Sequence, residues 1–149
     1  MRRRPALLIA AGFAVFVFLG LSFLLARGLT GSGTERSRVL ELLERQAAGD
    51  AAGVLARLPA CRTEPACAQV TRARVGELAR AGRVKILNFQ PSARLSLTRR
   101  VGTARVAWRA GASLPVVQCV RVRRQGPLTG AGVELLALSK PIGRESACQ

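Results

Sequence analysis

Four cysteines are the residues of this chain whose chemistry is easiest to predict. They are Cys61, Cys67, Cys119 and Cys148, and an even number of cysteines is typical of exported domains that form disulfides. A bridge from Cys61 to Cys67 would close a small ring, and one from Cys119 to Cys148 would tie down the C-terminal tail, although four cysteines allow three pairings. Zinc is not expected, because the cysteines lack the closely spaced pairs of zinc knuckles.

Acid–base and nucleophilic catalysis find little support in the residue types. The chain has no histidine, which excludes Ser-His and Cys-His nucleophiles and histidine-based metal sites. Most glutamates are spaced to pair with arginines on helix faces, as Glu41 and Arg45 are. Glu134 differs, because it lies in the apolar run VELLAL and would be a candidate polar group if it faced a pocket. We therefore predict a non-enzymatic protein without a cofactor or metal.

The formal net charge of +16 indicates attraction to anionic partners. Because strand residues alternate between two faces, arginines from neighbouring predicted strands should share one basic face that contacts a protein partner, anionic lipid heads or acidic wall polymers. Charge alone is weak evidence, because Lys85 and Lys140 are the only lysines and GC-rich coding produces the same excess of arginine. The candidate residues are Arg99, Arg100, Arg105, Arg109, Arg121, Arg123 and Arg124.

Nucleic acid is not expected as a partner. Proteins that bind single strands stack bases on aromatic side chains, and Phe89 and Trp108 are the only aromatic residues after residue 26. Export of the domain would also separate it from most nucleic acid.

Residues 6–26 contain no charged side chain and are predicted to form a transmembrane signal anchor. As a helix this run would be about 31 Å long, close to the roughly 30 Å of a hydrocarbon core. A cleaved signal peptide is the alternative, but the run exceeds a signal h-region and no small-x-small cleavage site follows it. The basic tip, 1–5, predicts a cytoplasmic N-terminus at the plasma (inner) membrane and an extracytoplasmic remainder.

The segment after the anchor is predicted to begin with helices. Residues 27–33 (RGLTGSG) resemble a flexible tether, and Ser32 and Glu35 have the spacing of a capping box, which announces a helix. Asp50 is a candidate cap for the next helix, which Pro59 should end, and the segment from Cys61 to Cys67 should be a loop. The predicted helices are 34–48, 51–58 and 66–81.

From residue 83 the apolar period changes from helical spacing to alternation, which indicates antiparallel strands with one exposed face. The fold class is therefore α+β: after the transmembrane helix, about three helices pack on a curved antiparallel sheet of four to five strands. This domain should cover 34–142, with the tail 143–149 tied by a disulfide. The predicted strands are 83–89, 93–99, 103–109, 116–124 and 133–138.

The helical stretch VLELLERQAAGDAAGVLARL, with its break at Gly49-Asp50, and the strands GTARVAWR and LPVVQCVRVRR resemble the nuclear transport factor 2-like (cystatin-like cone) superfamily over about residues 34–142. The resemblance implies a cone-shaped pocket between the first helix and the sheet. Some members place Asp, His or Tyr there for catalysis, whereas this chain has no His and no Tyr.

The resemblance favours an envelope protein that binds or scaffolds a protein partner or self-associates, with its pocket filled by side chains. A small-ligand binder or pocket enzyme is one alternative, with Trp108, Gln118 and Glu134 as the pocket residues. A binder of anionic polymers or nucleic acid at the membrane is the other.

Overall fold

The structure is a computed structural model that describes residues 3–92, 101–124, 132–143 and 146–148, without the side chains of 3–11, 24 and 27–32. The chain divides into two compact units, Met1–Gly33 and Thr34–Gln149.

The first unit is helical and exposes apolar side chains. Helix α1, Arg3–Ala47, begins in this unit. Consecutive large side chains from Val15 to Leu19 are exposed, which covers more than a full helical turn. Exposure lies between 59% and 75% for Phe13, Phe16, Phe18, Phe23 and Leu25.

Among the residues that the structure describes, no helix is both long and apolar enough to cross a membrane. The anchor predicted at 6–26 is therefore not confirmed. The backbone of 6–26 is helical, but the side chains of 6–11 and 24 lie outside the described set, so membrane crossing stays a prediction.

Helix α1 differs from the sequence prediction at its centre. Residues 27–33, predicted as a flexible tether, have helical backbone. Each glycine costs about 1 kcal/mol relative to alanine in a helix, but extending an existing helix costs far less than nucleating a new one. The capping box predicted for Ser32 and Glu35 is also wrong, because no helix begins there.

The remaining helices of the second unit are short. Helix α2 is Ala51–Arg57, and Asp50 caps it as predicted, since its Oδ1 accepts from Gly53 N at 2.8 Å. Helix α3, Pro59–Thr63, replaces the first part of the predicted 61–67 loop. Pro59 was expected only to end a helix, but it begins the next one. Proline fits this position because the first N–H groups of a helix make no intrahelical hydrogen bond, so the missing N–H costs nothing. Helix α4, Pro65–Leu78, replaces the last part of that predicted loop.

The strands form one antiparallel sheet in the order β1-β2-β3-β4. The α+β class and the four-strand sheet are thereby confirmed, and the predicted strand at 93–99 lies outside the described residues. Bulges interrupt the ladders between Ile86 and Asn88 and between Arg121 and Val122, where strands bend and twist more strongly. The strands are β1 Val84–Gln90, β2 Val101–Ala110, β3 Val116–Arg124 and β4 Val133–Leu138.

The core lies between the helices and one face of the sheet, here called the inner face. Strands β2 and β3 bury alternate residues on it, because neighbouring side chains of a strand point to opposite sides. In the second unit, α1 buries a stripe at helical spacing against this core. The stripe consists of Glu35, Val39, Leu42, Leu43, Gln46 and Ala47.

Candidate partner-binding face

The interior between α1 and the sheet is filled by side chains. Trp108 is fully buried at its centre, together with Leu42, Leu43 and Val106. Side chains of this size leave the space packed as an ordinary core. The pocket implied by the family resemblance therefore coincides with a packed core in this chain.

Two of the predicted pocket residues do meet in this interior. Trp108 Nε1 donates to Gln118 Oε1 at 2.8 Å, and Gln46 Nε2 donates to the same oxygen at 3.3 Å. Gln118 Nε2 donates to the Ser139 carbonyl at 3.0 Å. Gln118 thus has protein partners for both ends of its amide, which is how a buried polar group is normally accommodated. These bonds tie α1, β2, β3 and the segment after β4 together.

Glu134, the third predicted pocket residue, does not join this group. It lies on β4 opposite Arg123, and its Oε2 pairs with Arg123 Nη1 at 3.2 Å. The Arg123 side chain is half exposed. An exposed pair of this kind contributes only about 0–1 kcal/mol, so Glu134 has the surroundings of a surface residue.

The opposite side of the sheet, here called the outer face, carries most of the predicted basic residues that the structure describes. Arg105 and Arg109 alternate with the buried residues of β2, and Arg121 and Arg123 do the same on β3. Lys85, which was not predicted on this face, lies directly opposite Arg109 in the β1–β2 ladder. Arg99 and Arg100 lie outside the described residues. The outer face therefore has two cationic clusters: Lys85 with Arg109 toward one end, and Arg121 with Arg123 toward the other.

Arg124 was predicted on this face but turns away from it. Its Nη2 and Nε lie 2.5 and 3.2 Å from Glu35 Oε2. Glu35 is fully buried and also accepts from the backbone N–H and hydroxyl of Ser92, at 2.7 and 3.0 Å. A buried carboxylate needs such partners, so Arg124 holds the fold together. Glu35 was not predicted as the partner of Arg124, because 89 residues separate the two along the chain.

The cations of the outer face differ in whether their side chains have partners within the chain. Arg123 pairs with Glu134, and Arg105 Nε donates to the Ser146 carbonyl at 3.1 Å. Within the described part of the chain, the exposed Arg109 and Arg121 form no ion pair. Lys85 and Arg109 are like charges directly opposite each other, an arrangement that destabilises a sheet. A partner that brings negative charge would remove that repulsion.

Both expected disulfides are present. Cys61 is bonded to Cys67 and Cys119 to Cys148, with Cα–Cα distances of 5.1 and 5.7 Å. The second bridge starts from the outer side of β3, since Cys119 lies opposite Arg105. It holds residue 148 of the tail against the sheet as predicted.

Comparison with protein-family models, curated proteins and solved structures finds no significant match for this chain. The resemblance to the nuclear transport factor 2-like superfamily therefore stays a prediction. The geometry of the two sheet faces is the basis for a functional assignment.

Proposed function

We propose that this chain is a non-enzymatic, single-pass membrane protein whose exported α+β domain binds a protein partner through the outer face of its sheet. In this proposal, residues 6–26 anchor the chain in the plasma (inner) membrane with the N-terminus in the cytoplasm. The observation that carries the proposal is a contrast between the two faces of the sheet in how their polar side chains are paired. Gln118 is satisfied inside the fold, whereas Arg109 and Arg121 are exposed and have no carboxylate within the described residues.

The packed interior supports binding at a surface over binding in a pocket. Trp108 and Leu42 occupy the space in which the family resemblance would place a ligand. The same observation argues against the small-ligand alternative.

The first unit supports the anchor. Its described large side chains are apolar and exposed around the helix, as at Phe16 and Phe18. Apolar surface of this extent costs about 25 cal/mol per Å² in water, and exposed apolar patches mark protein or membrane interaction sites. The complete run 6–26 is long enough for a hydrocarbon core.

Site-specific photo-crosslinking in cells tests the partner-binding part. A photoreactive side chain at Ala107 would lie on the outer face between the two cationic clusters, and one at the exposed Ala52 on α2 is the matched control. The proposal predicts a discrete crosslinked protein from position 107 and none from position 52. Crosslinks of equal yield from both positions, or none from position 107, would refute it.

Topology needs a separate test. The full-length protein should remain in membranes during alkaline carbonate extraction, and deletion of 1–26 should release it. A non-reducing mass map of protein taken from cells should contain both disulfide-linked peptides and no free thiol, because disulfides persist only in oxidising compartments. Four free thiols would contradict export.

A second candidate partner is an acidic polymer or an anionic lipid surface. The like-charge neighbours Lys85 and Arg109 favour it, since dense anionic charge would relieve their repulsion. Binding to phosphatidylglycerol vesicles that is lost when Arg109 and Arg121 are reversed to glutamate, without a crosslinked protein at position 107, would support this candidate over the protein partner.

A further inference from the structure

A groove of about 570 Å³ opens in the second unit between the end of α1 and the connection from α4 to β1. Small apolar side chains line part of it, among them Ala47, Ala79 and Ala81. Its charged residues are Arg80, Arg83 and Glu44. Two arginines and one glutamate give the groove a net positive charge.

Arg80 contributes a buried donor to this groove. Its Nε is inaccessible to solvent and has no hydrogen-bond acceptor among the described residues. Most buried donors in proteins are paired, and an unpaired one costs about 1–3 kcal/mol. The backbone N–H of Arg80 donates to the Ala47 carbonyl at 2.8 Å, which fixes this residue at the end of α1. The backbone of Arg80 is therefore held beside α1, and its Nε–H is a donor that the described chain does not use.

The connection that carries the two arginines passes close to the turn after β2. Gly82 has φ +109°, and a Cβ there would lie 2.7 Å from the Gly111 Cα. Only glycine fits such a close backbone approach without strain. A side chain at position 82 would therefore disturb the connection that forms this wall of the groove.

The positive charge continues from the groove onto the outer face. Arg83 extends the β1–β2 ladder, because its carbonyl accepts from Gly111 N at 3.2 Å. Lys85 lies two residues after Arg83, on the same side of the strand, and is opposite Arg109. Cations two residues apart on a strand are spaced by about 6.6 Å. An extended peptide with acidic side chains at every second residue has the same spacing.

We infer that this groove binds an extended acidic segment of the protein partner. One carboxylate accepts from the Arg80 guanidinium inside the groove, and the following acidic side chains pair with Arg83 and with the Lys85–Arg109 neighbours. This inference rests on the proposed function and adds to it the chemistry of the partner. Carboxylates fit because a guanidinium binds them with two parallel hydrogen bonds.

The test uses the full-length protein in a neutral detergent and a fluorescein-labelled peptide, Gly-Glu-Val-Glu-Val-Glu-Gly with blocked ends. Fluorescence anisotropy at low salt should detect saturable binding that weakens as salt rises. The same peptide with glutamine for glutamate should not bind. Arg80→Ala and Arg83→Ala should each weaken binding about tenfold, and Arg62→Ala, an exposed arginine on α3 that does not line the groove, should change it less than twofold.

Arg80→Lys separates insertion into the groove from general attraction to positive charge. It keeps the charge but removes the planar guanidinium and its paired donors. The inference predicts that Arg80→Lys loses nearly as much peptide affinity as Arg80→Ala. The thermal unfolding curve of Arg80→Lys checks that this variant folds. Wild-type affinity in a folded Arg80→Lys variant would overturn the inference, as would binding of the glutamine peptide or an equal loss with Arg62→Ala.

Two further results separate this inference from the proposed function. If the peptide does not bind but position 107 still crosslinks to a protein, the groove inference is wrong and the proposed function stands. If phosphatidylglycerol vesicles bind through Arg80 and the peptide does not, the groove binds lipid head groups and the acidic-segment inference is overturned.

Discussion

The two faces of the sheet use polar side chains for opposite purposes. On the inner face, Trp108 and Gln118 bond to each other and to Gln46, and the space around them is packed. On the outer face, Arg109 and Arg121 are exposed and form no ion pair within the described residues. Both faces belong to the same strands, and alternation decides which face each side chain joins, although Val117 and Cys119 of the outer face are also buried.

This contrast separates residues that maintain the fold from residues available to a partner. Arg123 and Arg124 are neighbours in sequence and illustrate it most simply. Arg124 contacts the buried Glu35, whereas Arg123 forms an exposed pair with Glu134. Arginine content by itself is therefore a poor guide to binding, and the face on which an arginine lies decides its role.

The largest expected effect is on the inner face. Trp108→Ala should lower the free energy of unfolding by about 4 kcal/mol, because it leaves a cavity and removes a hydrogen-bond donor from Gln118. Urea unfolding of the full-length protein in detergent, compared with Leu87→Ala on the exposed side of β1, measures it. A loss below 1 kcal/mol would mean that the interior is not packed as described.

The two neighbouring arginines give the next prediction. Arg124→Ala should cost about 3 kcal/mol, because it leaves the buried Glu35 carboxylate without its charged partner. Arg123→Ala should cost less than about 1 kcal/mol, because its pair with Glu134 is exposed. The same unfolding experiment compares them, and equal losses would contradict the assignment of the two side chains to opposite faces.

The disulfides should differ according to the length of chain that each encloses. The sequence separations are 29 residues for Cys119–Cys148 and 6 for Cys61–Cys67. Replacing both cysteines of a pair by alanine should cost about 3 kcal/mol for the first and about 2 kcal/mol for the second, since longer loops gain more entropy on unfolding. Thermal unfolding of the two double variants measures which bridge contributes more stability. A larger loss on removing Cys61–Cys67 would contradict the prediction.

The smallest expected effect on stability is on the outer face. Arg121→Ala should change the free energy of unfolding by less than about 0.5 kcal/mol, since its side chain is exposed and unpaired within the described residues. Arg109→Ala should raise the free energy of unfolding slightly, because it removes the repulsion with Lys85. A loss above 1 kcal/mol for either variant would indicate a structural role.

The regular elements of the second unit were predictable from local patterns. Alternation placed Trp108 and Gln118 inside and Arg121 outside, and the Asp50 cap followed from its position before an apolar run. Strict alternation along β3 also places Arg124 on the inner side with Val122, but no partner for a charge there is visible from local patterns. That partner, Glu35, becomes a neighbour only when the chain folds.

The errors have local causes. The glycines of 27–33 indicated a tether, but the helix continues through them because the residues on both sides are helical. Pro59 ends one helix and begins another, so its usual reading as a helix breaker was only half correct. The groove was not predicted, because Arg80 and Arg83 meet Ala47 only through tertiary contacts.

The most direct test of the contrast between the faces combines two measurements on one variant, in which Arg109 and Arg121 are both replaced by glutamate. We predict a free energy of unfolding within about 0.5 kcal/mol of the wild type, together with loss of the protein crosslinked from position 107. A variant that keeps this crosslink, or that unfolds more than 2 kcal/mol more easily, would contradict the claim that the outer face serves binding and the inner face the fold.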